Sequence, residues 1–167
     1  NQQVIYSILT DKEIVEFEKT LELNKSLYIA DVGRFRVNVF RQQGEPALVI
    51  RHIKDKIPSI DKLGLPDVLK TLVMEKRGLT LVVGGTGTGK STSLASMIDY
   101  RNKRSTGHIL TIEDPIEFVY ESKKSLVNQR EVGLDTLSFD SALINAMREA
   151  PDVILIGEIR DAKTMQQ

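Results

Sequence analysis

The sequence predicts an α/β protein in which a small α+β unit precedes a larger α/β part, and two patterns indicate this. From residue 67 onward, short apolar runs alternate with amphipathic runs, which is typical of a parallel sheet covered by helices on both faces. Before residue 58, one helix-like run is followed by three strand-like runs. Residues 58–66 contain two prolines and a glycine and few periodic apolar residues. We therefore predict domains at 1–57 and 67–167 with a linker at 58–66.

The first part carries local signals for each of its elements. The run TDKEIVEFEKTLEL has an apolar stripe at helical spacing, and Thr10 or Asp11 is suited to cap its start. In RFRVNVF, apolar and polar residues alternate with the period of a half-buried strand. The polar stretch from Gln42 to Gly44 predicts a hairpin turn. The predicted elements are a helix at 10–23 and strands at 26–32, 34–40 and 46–53.

The second part alternates helices with short apolar strands. Pro66 lies near the start of a predicted helix and Gly78 at its end, and Ser138 is placed to cap a later one. The polar run IEFVYESKKSLVNQRE between two buried strands is typical of a hairpin insertion. The predictions are helices at 66–78, 90–104 and 138–150, buried strands at 79–83, 108–112 and 153–157, and the hairpin at 116–131.

Composition restricts the class of protein. The chain has 167 residues, 41% hydrophobic and 28% charged, with equal numbers of basic and acidic side chains, so we predict no nucleic-acid partner. There is no cysteine, which excludes disulfides and thiolate metal ligands. No apolar run reaches the roughly 18 residues of a membrane span. Because the chain starts at Asn1 and ends within a helix-like pattern that has no stop signal, we expect a piece of a longer protein, with the second domain incomplete at its C-terminus.

A glycine-rich loop carries the strongest chemical signal. The run GGTGTGKS, residues 84–91, matches the pattern G-x-x-x-x-G-K-[ST] between a predicted strand and a predicted helix. Glycines allow the backbone N–H groups to approach phosphate oxygens, and the helix adds its positive end. We expect Lys90 to contact the β- and γ-phosphates of ATP and Ser91 to bind Mg²⁺. Thr92 is placed to cap the helix or contact the α-phosphate. The predicted nucleotide-binding residues of this loop are Gly85, Thr86, Gly87, Thr88, Gly89, Lys90, Ser91 and Thr92.

Acidic residues follow two of the predicted strands. In PDVILIGEIRD, residues 151–161, Gly157 stands where many P-loop enzymes have an aspartate, and Glu158 follows it. Glu158 is suited to bind Mg²⁺ or to orient water. Glu113, Asp114 and Glu117 lie at the carboxyl end of another strand, which is the ligand-binding edge of an open α/β sheet. The alternatives are an ordinary charged turn after 153–157 and a plain turn at Asp114.

Four arginines in the first part are the remaining candidates. On a strand, such a row is usually a solvated face. The functional alternative is that the small domain lends them to a phosphate, its own or a neighbour's, as arginine fingers. These residues are Arg34, Arg36, Arg41 and Arg51.

Long contiguous motifs resemble the secretion ATPases of type II secretion and type IV pili. These are GGTGTGKSTSLASMIDYRN, GHILTIEDPIEFV and SLVNQREVGLDTLSFDSALINAMREAPDVILIGEIRD. Within that group they are most similar to the pilus retraction ATPases of the PilT/PilU family. The segments GGTGTGK and APDVILIGEIRD look more like PilU.

The resemblance implies a PAS-like N-terminal domain, a RecA-like P-loop NTPase domain and a hexameric ring, with nucleotide between the two domains. It implies that Glu117 activates water, that Glu158 is the Walker B glutamate, and that the arginines reach across to phosphate. Family elements that should follow Gln167 are a His box and a C-terminal helical region.

The function implied is an ATP-hydrolysing motor subunit that powers type IV pilus retraction and twitching motility. It would lie in the cytoplasm, peripheral at the inner membrane, against the pilus platform protein and related motor ATPase subunits. The alternative is a nucleotide-binding accessory or assembly subunit with little turnover of its own. A small-molecule kinase fits the hairpin and Glu158 less well, and a GTPase is disfavoured because no N-K-x-D motif is present.

Overall fold

The computed structural model describes residues 2–53 and 56–159 and divides the chain into two compact units, 1–53 and 54–167. Unit 1 is a three-stranded antiparallel sheet in the order β1-β2-β3, preceded by two helices. Phe17, Val37 and Val39 are fully buried in its core. The predicted order of a helix followed by three strands is confirmed, with one further short helix before it. The elements are α1 Gln2–Ser7, α2 Asp11–Thr20, β1 Glu22–Ile29, β2 Gly33–Gln42 and β3 Glu45–Ile53.

Local hydrogen bonds define the start of α2 and the β2–β3 turn. Thr10 is the N-cap: its hydroxyl accepts from the N–H of Glu13, whose carboxylate in turn accepts from the N–H of Thr10 at 2.7 Å. Gln43 and Gly44 form a two-residue turn with φ values of 54° and 83°. Positive φ at both positions is the type I′ geometry that matches the twist of a hairpin. Both predictions are confirmed.

Unit 2 contains a parallel sheet with helices on both faces. Its strands lie in the order β5-β4-β6, and both neighbours run parallel to β4. Leu110 and Ile112 pack on one face against α5, while Ile109 packs on the other against Ile98 of α4. The predicted covered parallel sheet is therefore confirmed. The elements are α3 Val68–Met74, α4 Lys90–Arg104, β4 Gly107–Glu113, β5 Ser125–Glu131, α5 Phe139–Ala146 and β6 Val153–Ile156.

The hairpin predicted at 116–131 is wrong. Its second half is β5, which pairs in parallel with β4 over the whole length from Gly107↔Ser125 to Glu113↔Glu131. Ser125 and Glu131 are only 2% and 3% exposed. The strand buries polar rather than apolar side chains at its two ends, so its composition indicated an exposed hairpin.

The buried strand predicted at 79–83 is also wrong, since these residues form no strand and Leu79 and Val83 are 81% and 86% exposed. A strand needs a neighbour for its hydrogen bonds, and no described strand pairs with this segment. The helix before it ends at Met74, not near Gly78, and Arg101 donates to the carbonyls of Val73 and Glu75 just past that end.

The segment predicted as a linker is packed in unit 2. Ile60 is 1% exposed, and the hydroxyl of Ser96 donates to the carbonyl of Pro58 at 2.7 Å. Lys54 and Asp55, which precede it, lie outside the described residues. The domain limits 1–57, 58–66 and 67–167 stay a prediction beside the division at residue 53. Over the described part of the chain, no helix is long and apolar enough to cross a lipid bilayer.

Candidate functional site

A cavity of about 430 Å³ opens in unit 2 at the carboxyl ends of β4 and β6. The glycine-rich loop and the start of α4 form one wall, and residues 113–120 and the end of β6 form the others. Both acidic clusters predicted from the sequence therefore face the same space as the loop. The polar side chains that line it are Thr86, Lys90, Ser91, Thr92, Glu113, Asp114, Glu117, Tyr120 and Glu158.

Lys90 is held against the loop by the loop's own backbone. Its ammonium donates to the carbonyl of Gly84 at 2.8 Å and to that of Gly85 at 2.6 Å. The hydroxyl of Thr88 also donates to the Gly85 carbonyl at 2.9 Å. One positive charge is therefore fixed beside the first turn of α4, where backbone N–H groups lack intrahelical partners. This combination suits an anion with several oxygens.

Two glycines of the loop are required by geometry. Gly89 has φ 91° at the N-cap of α4 and contributes no side-chain cap, which leaves the first-turn N–H groups available. A Cβ on Gly84, which has φ 157°, would lie 2.9 Å from the hydroxyl oxygen of Thr88. Any other residue at these two positions would be strained in this shape of the loop.

Glu113 is a buried carboxylate on the floor of the cavity. Its Oε1 accepts from the hydroxyl of Thr111 at 2.6 Å and from the amide of Gln129 at 3.2 Å. Burial raises the pKa of Glu113, the negative charge of Glu117 adds to this, and the hydrogen bonds from Thr111, Gln129 and the Glu117 backbone oppose it. Glu113 therefore holds a proton more tightly in the folded protein than in the unfolded chain.

Gly157, the residue before Glu158, lies close to the backbone of β4. The N–H of Gly157 donates to the carbonyl of Ile112 at 2.8 Å, which brings the end of β6 against β4. A Cβ at Gly157 would lie 3.2 Å from the Cα of Glu113. A side chain at this position would crowd the backbone of β4, and the carboxylate that lines the cavity here belongs to the next residue, Glu158.

The raised pKa of Glu113 makes stability depend on pH. Its protonated form stabilises the fold below the ordinary value of 4.5, and this contribution is lost as pH rises through the higher folded-state pKa. Glutamine cannot ionise and keeps an oxygen to accept from Thr111 and Gln129. We expect Glu113→Gln to gain in melting temperature relative to the parent chain as pH rises from 4.5 toward neutral.

Thermal unfolding of both chains at a series of pH values measures this difference. Glu121→Gln, which removes one carboxylate at an exposed position of the same unit, is the matched control. If the difference in melting temperature between Glu113→Gln and the parent chain does not grow with pH, burial does not raise the pKa of Glu113.

Most of the residues predicted to bind nucleotide or metal meet at this cavity, as do both predicted catalytic glutamates. Gly85 and Thr88 support the loop through the bonds described above. Residues 160 and 161 of the second acidic motif lie outside the described residues. The predicted residues that line the cavity are Thr86, Gly87, Gly89, Lys90, Ser91, Thr92, Glu117 and Glu158.

The predicted arginines lie in unit 1 and divide between two faces of its sheet. Arg36 is directly opposite Arg51 across β2 and β3, and Arg34 is two residues along on the same face of β2. Arg34 and Arg51 are exposed. These three guanidinium groups form one basic face, and their role at a phosphate stays a prediction.

Arg41 points to the other face of the sheet, because it is an odd number of positions from Arg36 on the same strand. Its guanidinium pairs with Glu18 at 2.6 Å, donates to the carbonyl of Gly44 and lies over the ring of Phe17, 5.2 Å from its centroid. These contacts join β2 to α2 and favour a structural role for Arg41. Its predicted contact with phosphate gains no support from them.

The donors around the cavity suit Mg²⁺, which prefers oxygen ligands and is usually held by one or two protein groups together with phosphate oxygens. Ser91 and Glu158 offer a hydroxyl and a carboxylate on the same space. Within residues 2–53 and 56–159, no group of three or more His, Cys, Asp or Glu residues could hold a metal ion without other ligands.

Gln129 and Thr111 support the cavity from behind Glu113, and the sequence did not predict a role for either. Both donate hydrogen bonds to the carboxylate of Glu113, and neither belongs to a recognisable motif. The available signal was the period-2 spacing of Gln129 and Glu131 in the run NQRE, which places both side chains on the same face of β5.

Fold and cavity together define a class of α/β protein in which a glycine-rich loop with a lysine meets carboxylates at the edge of a parallel sheet. Residues 9–167 match the family described as "Type II/IV secretion system protein". The chain belongs to this family.

Named relatives agree with the family. The chain is 49% identical over 164 residues to the type IV pilus ATPase PilU of Pseudomonas aeruginosa, covering 98% of the chain and 43% of that protein. It is 52% identical over 163 residues to the retraction ATPase PilT of the same organism, covering 98% and 47%. A twitching motility protein of Neisseria gonorrhoeae is 48% identical over 162 residues, with 97% and 43% covered. These values do not separate PilU from PilT, and the chain spans less than half the length of these relatives.

Solved structures show the same α/β fold. A crystal structure of the pilus retraction motor PilT with bound ADP matches with a TM-score of 0.94 and 51% identity, covering 99% of this chain and 48% of that one. The ATPase DotB of Legionella pneumophila matches with a TM-score of 0.80 and 31% identity, covering 97% and 47%.

Proposed function

We propose that the chain is the nucleotide-binding part of an ATP-hydrolysing motor subunit that powers type IV pilus retraction. In this proposal, unit 2 is a RecA-like P-loop NTPase domain and unit 1 is a PAS-like domain. The observation that supports it most strongly is that Lys90, Ser91, Glu117 and Glu158 line one cavity at the carboxyl edge of a parallel sheet. The PilT structure holds ADP, and the relatives are named as pilus ATPases or as a twitching motility protein, which supports the same function.

Different residues of the cavity bind the phosphates, hold the metal ion and activate water in this mechanism. Lys90 and the N–H groups of the loop bind and neutralise the phosphates. Bound Mg²⁺ would neutralise charge on the phosphate oxygens, and Ser91 and Glu158 would hold it. Glu117 accepts a proton from the water whose oxygen bonds to the γ-phosphorus. The bond from that phosphorus to the bridging oxygen breaks, and ADP and phosphate leave.

The wider assembly is part of the same proposal. Arg34, Arg36 and Arg51 form a basic face suited to phosphate, and a hexameric ring would let one subunit lend these groups to another's nucleotide. The ring would contact the pilus platform protein and related motor ATPase subunits from the cytoplasm, peripheral at the inner membrane.

The test is ATP turnover by the complete gene product that contains this chain, measured against protein concentration with Mg²⁺ or with excess chelator. We expect turnover that requires Mg²⁺ and rises more steeply than linearly with protein, because a ring brings subunits together. Nucleotide binding without turnover at any concentration would replace the motor by the accessory, assembly role. Transfer of phosphate to a small-molecule acceptor in preference to water would indicate a kinase.

A further inference from the structure

Side chains of β5 hold the backbone of the loop that carries Glu117. The carboxamide of Gln129 donates to the carbonyl of Phe118 at 2.9 Å, and its oxygen accepts from the N–H of Tyr120 at 2.8 Å. Two backbone groups just after Glu117 are therefore fixed by one side chain from a strand of the sheet.

The residue on the other side of Glu117 is held in the same way. Glu131, two positions after Gln129 on the same face of β5, accepts from the N–H of Ile116 at 3.0 Å through its carboxylate. Glu131 is 3% exposed, so this bond lies away from water. Glu113 on β4 also accepts from the backbone N–H of Glu117 itself. The loop is thus attached at consecutive points to two strands.

Gln129 has a function in this network that few side chains could replace. Its amide nitrogen donates both to Phe118 and to Oε1 of Glu113, at 3.2 Å, while its oxygen accepts from Tyr120. A carboxamide supplies two donors and an acceptor in one plane, whereas an ionised glutamate has no donor and leucine has neither. Gln129 therefore joins the loop, β4 and β5 at a single point.

Attachment of the backbone matters because the Glu117 side chain is exposed, so its position depends strongly on the backbone that carries it. A displacement of about 1 Å at a reacting group costs about 100-fold in rate. We propose that Gln129 is a positioning residue for ATP hydrolysis, which sets the place of the Glu117 carboxylate relative to the phosphate-binding loop. This inference rests on the proposed function, and it predicts an effect on turnover rather than on nucleotide affinity.

The experiment compares Gln129→Leu with the parent protein in the complete gene product. We expect kcat to fall about 10- to 100-fold, because the loop gains freedom. The dissociation constant of a fluorescent ADP analogue should stay within about 3-fold, since Lys90 and the glycine-rich loop are unchanged. Amide hydrogen exchange at Tyr120 should become faster, because its acceptor is gone.

Asn128→Leu is the matched control. Asn128 is the neighbouring residue on β5, and its amide oxygen lies 2.9 Å from Nε2 of His108, away from the cavity. The control removes one side-chain amide from the same strand, and we expect parental kcat. Gln129→Glu is a second variant of nearly the same shape. An ionised glutamate keeps an acceptor for the N–H of Tyr120 but has no donor for Phe118 or Glu113, so we expect its kcat to fall as in Gln129→Leu.

The experiment distinguishes failure of the positioning role of Gln129 from failure of the proposed ATPase function. Parental kcat in Gln129→Leu, or unchanged exchange at Tyr120, overturns the positioning role while Glu117→Gln remains inactive. A loss of kcat that Asn128→Leu shares overturns it as well, because general damage to β5 would explain both. If Glu117→Gln itself hydrolyses ATP at the parental rate, the role assigned to Glu117 fails, and the positioning inference fails with it.

Discussion

Replacing Lys90 with alanine should weaken nucleotide binding by about 100-fold or more. The ammonium now bonds to the carbonyls of Gly84 and Gly85, and it is the cation that the loop fixes beside the cavity. A charge-assisted hydrogen bond contributes about 1.5–3 kcal/mol, and two phosphates would each lose one. Equilibrium binding of a fluorescent, non-hydrolysable ATP analogue, which carries both the β- and the γ-phosphate, measures the effect directly and does not depend on turnover.

Lys76→Ala serves as the matched control, because Lys76 is an exposed lysine of the same unit. It should bind nucleotide as the parent chain does, and both variants should unfold at nearly the parental temperature. Lys90→Ala with affinity within about 3-fold of the parent would remove the glycine-rich loop from the proposed site.

Changing Glu117 to glutamine should lower ATP turnover by at least about 100-fold and leave nucleotide binding nearly unchanged. The amide keeps the shape of the side chain but cannot accept a proton from water. General-base catalysis contributes about 10²- to 10⁴-fold, so we expect kcat of the complete gene product to fall by that factor. The dissociation constant for ATP should stay within about 3-fold, because Glu117 does not bind the phosphates in this mechanism. Steady-state turnover and analogue binding on the same preparations measure both.

Two further variants sharpen this result. Glu121→Gln changes an exposed glutamate four residues further along the chain, and it should hydrolyse ATP at the parental rate. Glu158→Gln should lower kcat and also raise the Mg²⁺ concentration required, since Glu158 is assigned to the metal. If Glu117→Gln is active while Glu158→Gln is not, water activation belongs to Glu158.

Several features could be predicted from the sequence because they depend on residues close together in the chain. Thr10 and Ser138 cap their helices through bonds to residues three positions away. The bounds of α4 match the predicted 90–104, and the Gln43–Gly44 turn follows from its own residue types. The glycine-rich loop is likewise a local pattern, so most of its predicted residues are found at the cavity.

Features that depend on distant partners were predicted less well. The parallel pairing of β5 with β4 joins residues 18 positions apart, and its buried Ser125 and Glu131 gave no apolar signal. The segment 79–83 has the apolar residues of a strand but no described partner, and composition cannot supply one. Arg41 resembles its neighbours in sequence, yet its position on the other face pairs it with Glu18.

The order of residues along the chain specifies the chemical groups available to this protein: a glycine-rich backbone, one lysine, a hydroxyl and two groups of carboxylates. Residue types and short spacings specify these, because caps, turns and loops form between near neighbours. The arrangement of these groups in space depends on the tertiary fold. It buried Glu113, brought position 157 close to the backbone of β4 and placed Gln129 beside the loop that carries Glu117. The physical reason is that burial, close backbone approach and hydrogen bonding between strands exist only after distant segments have packed together.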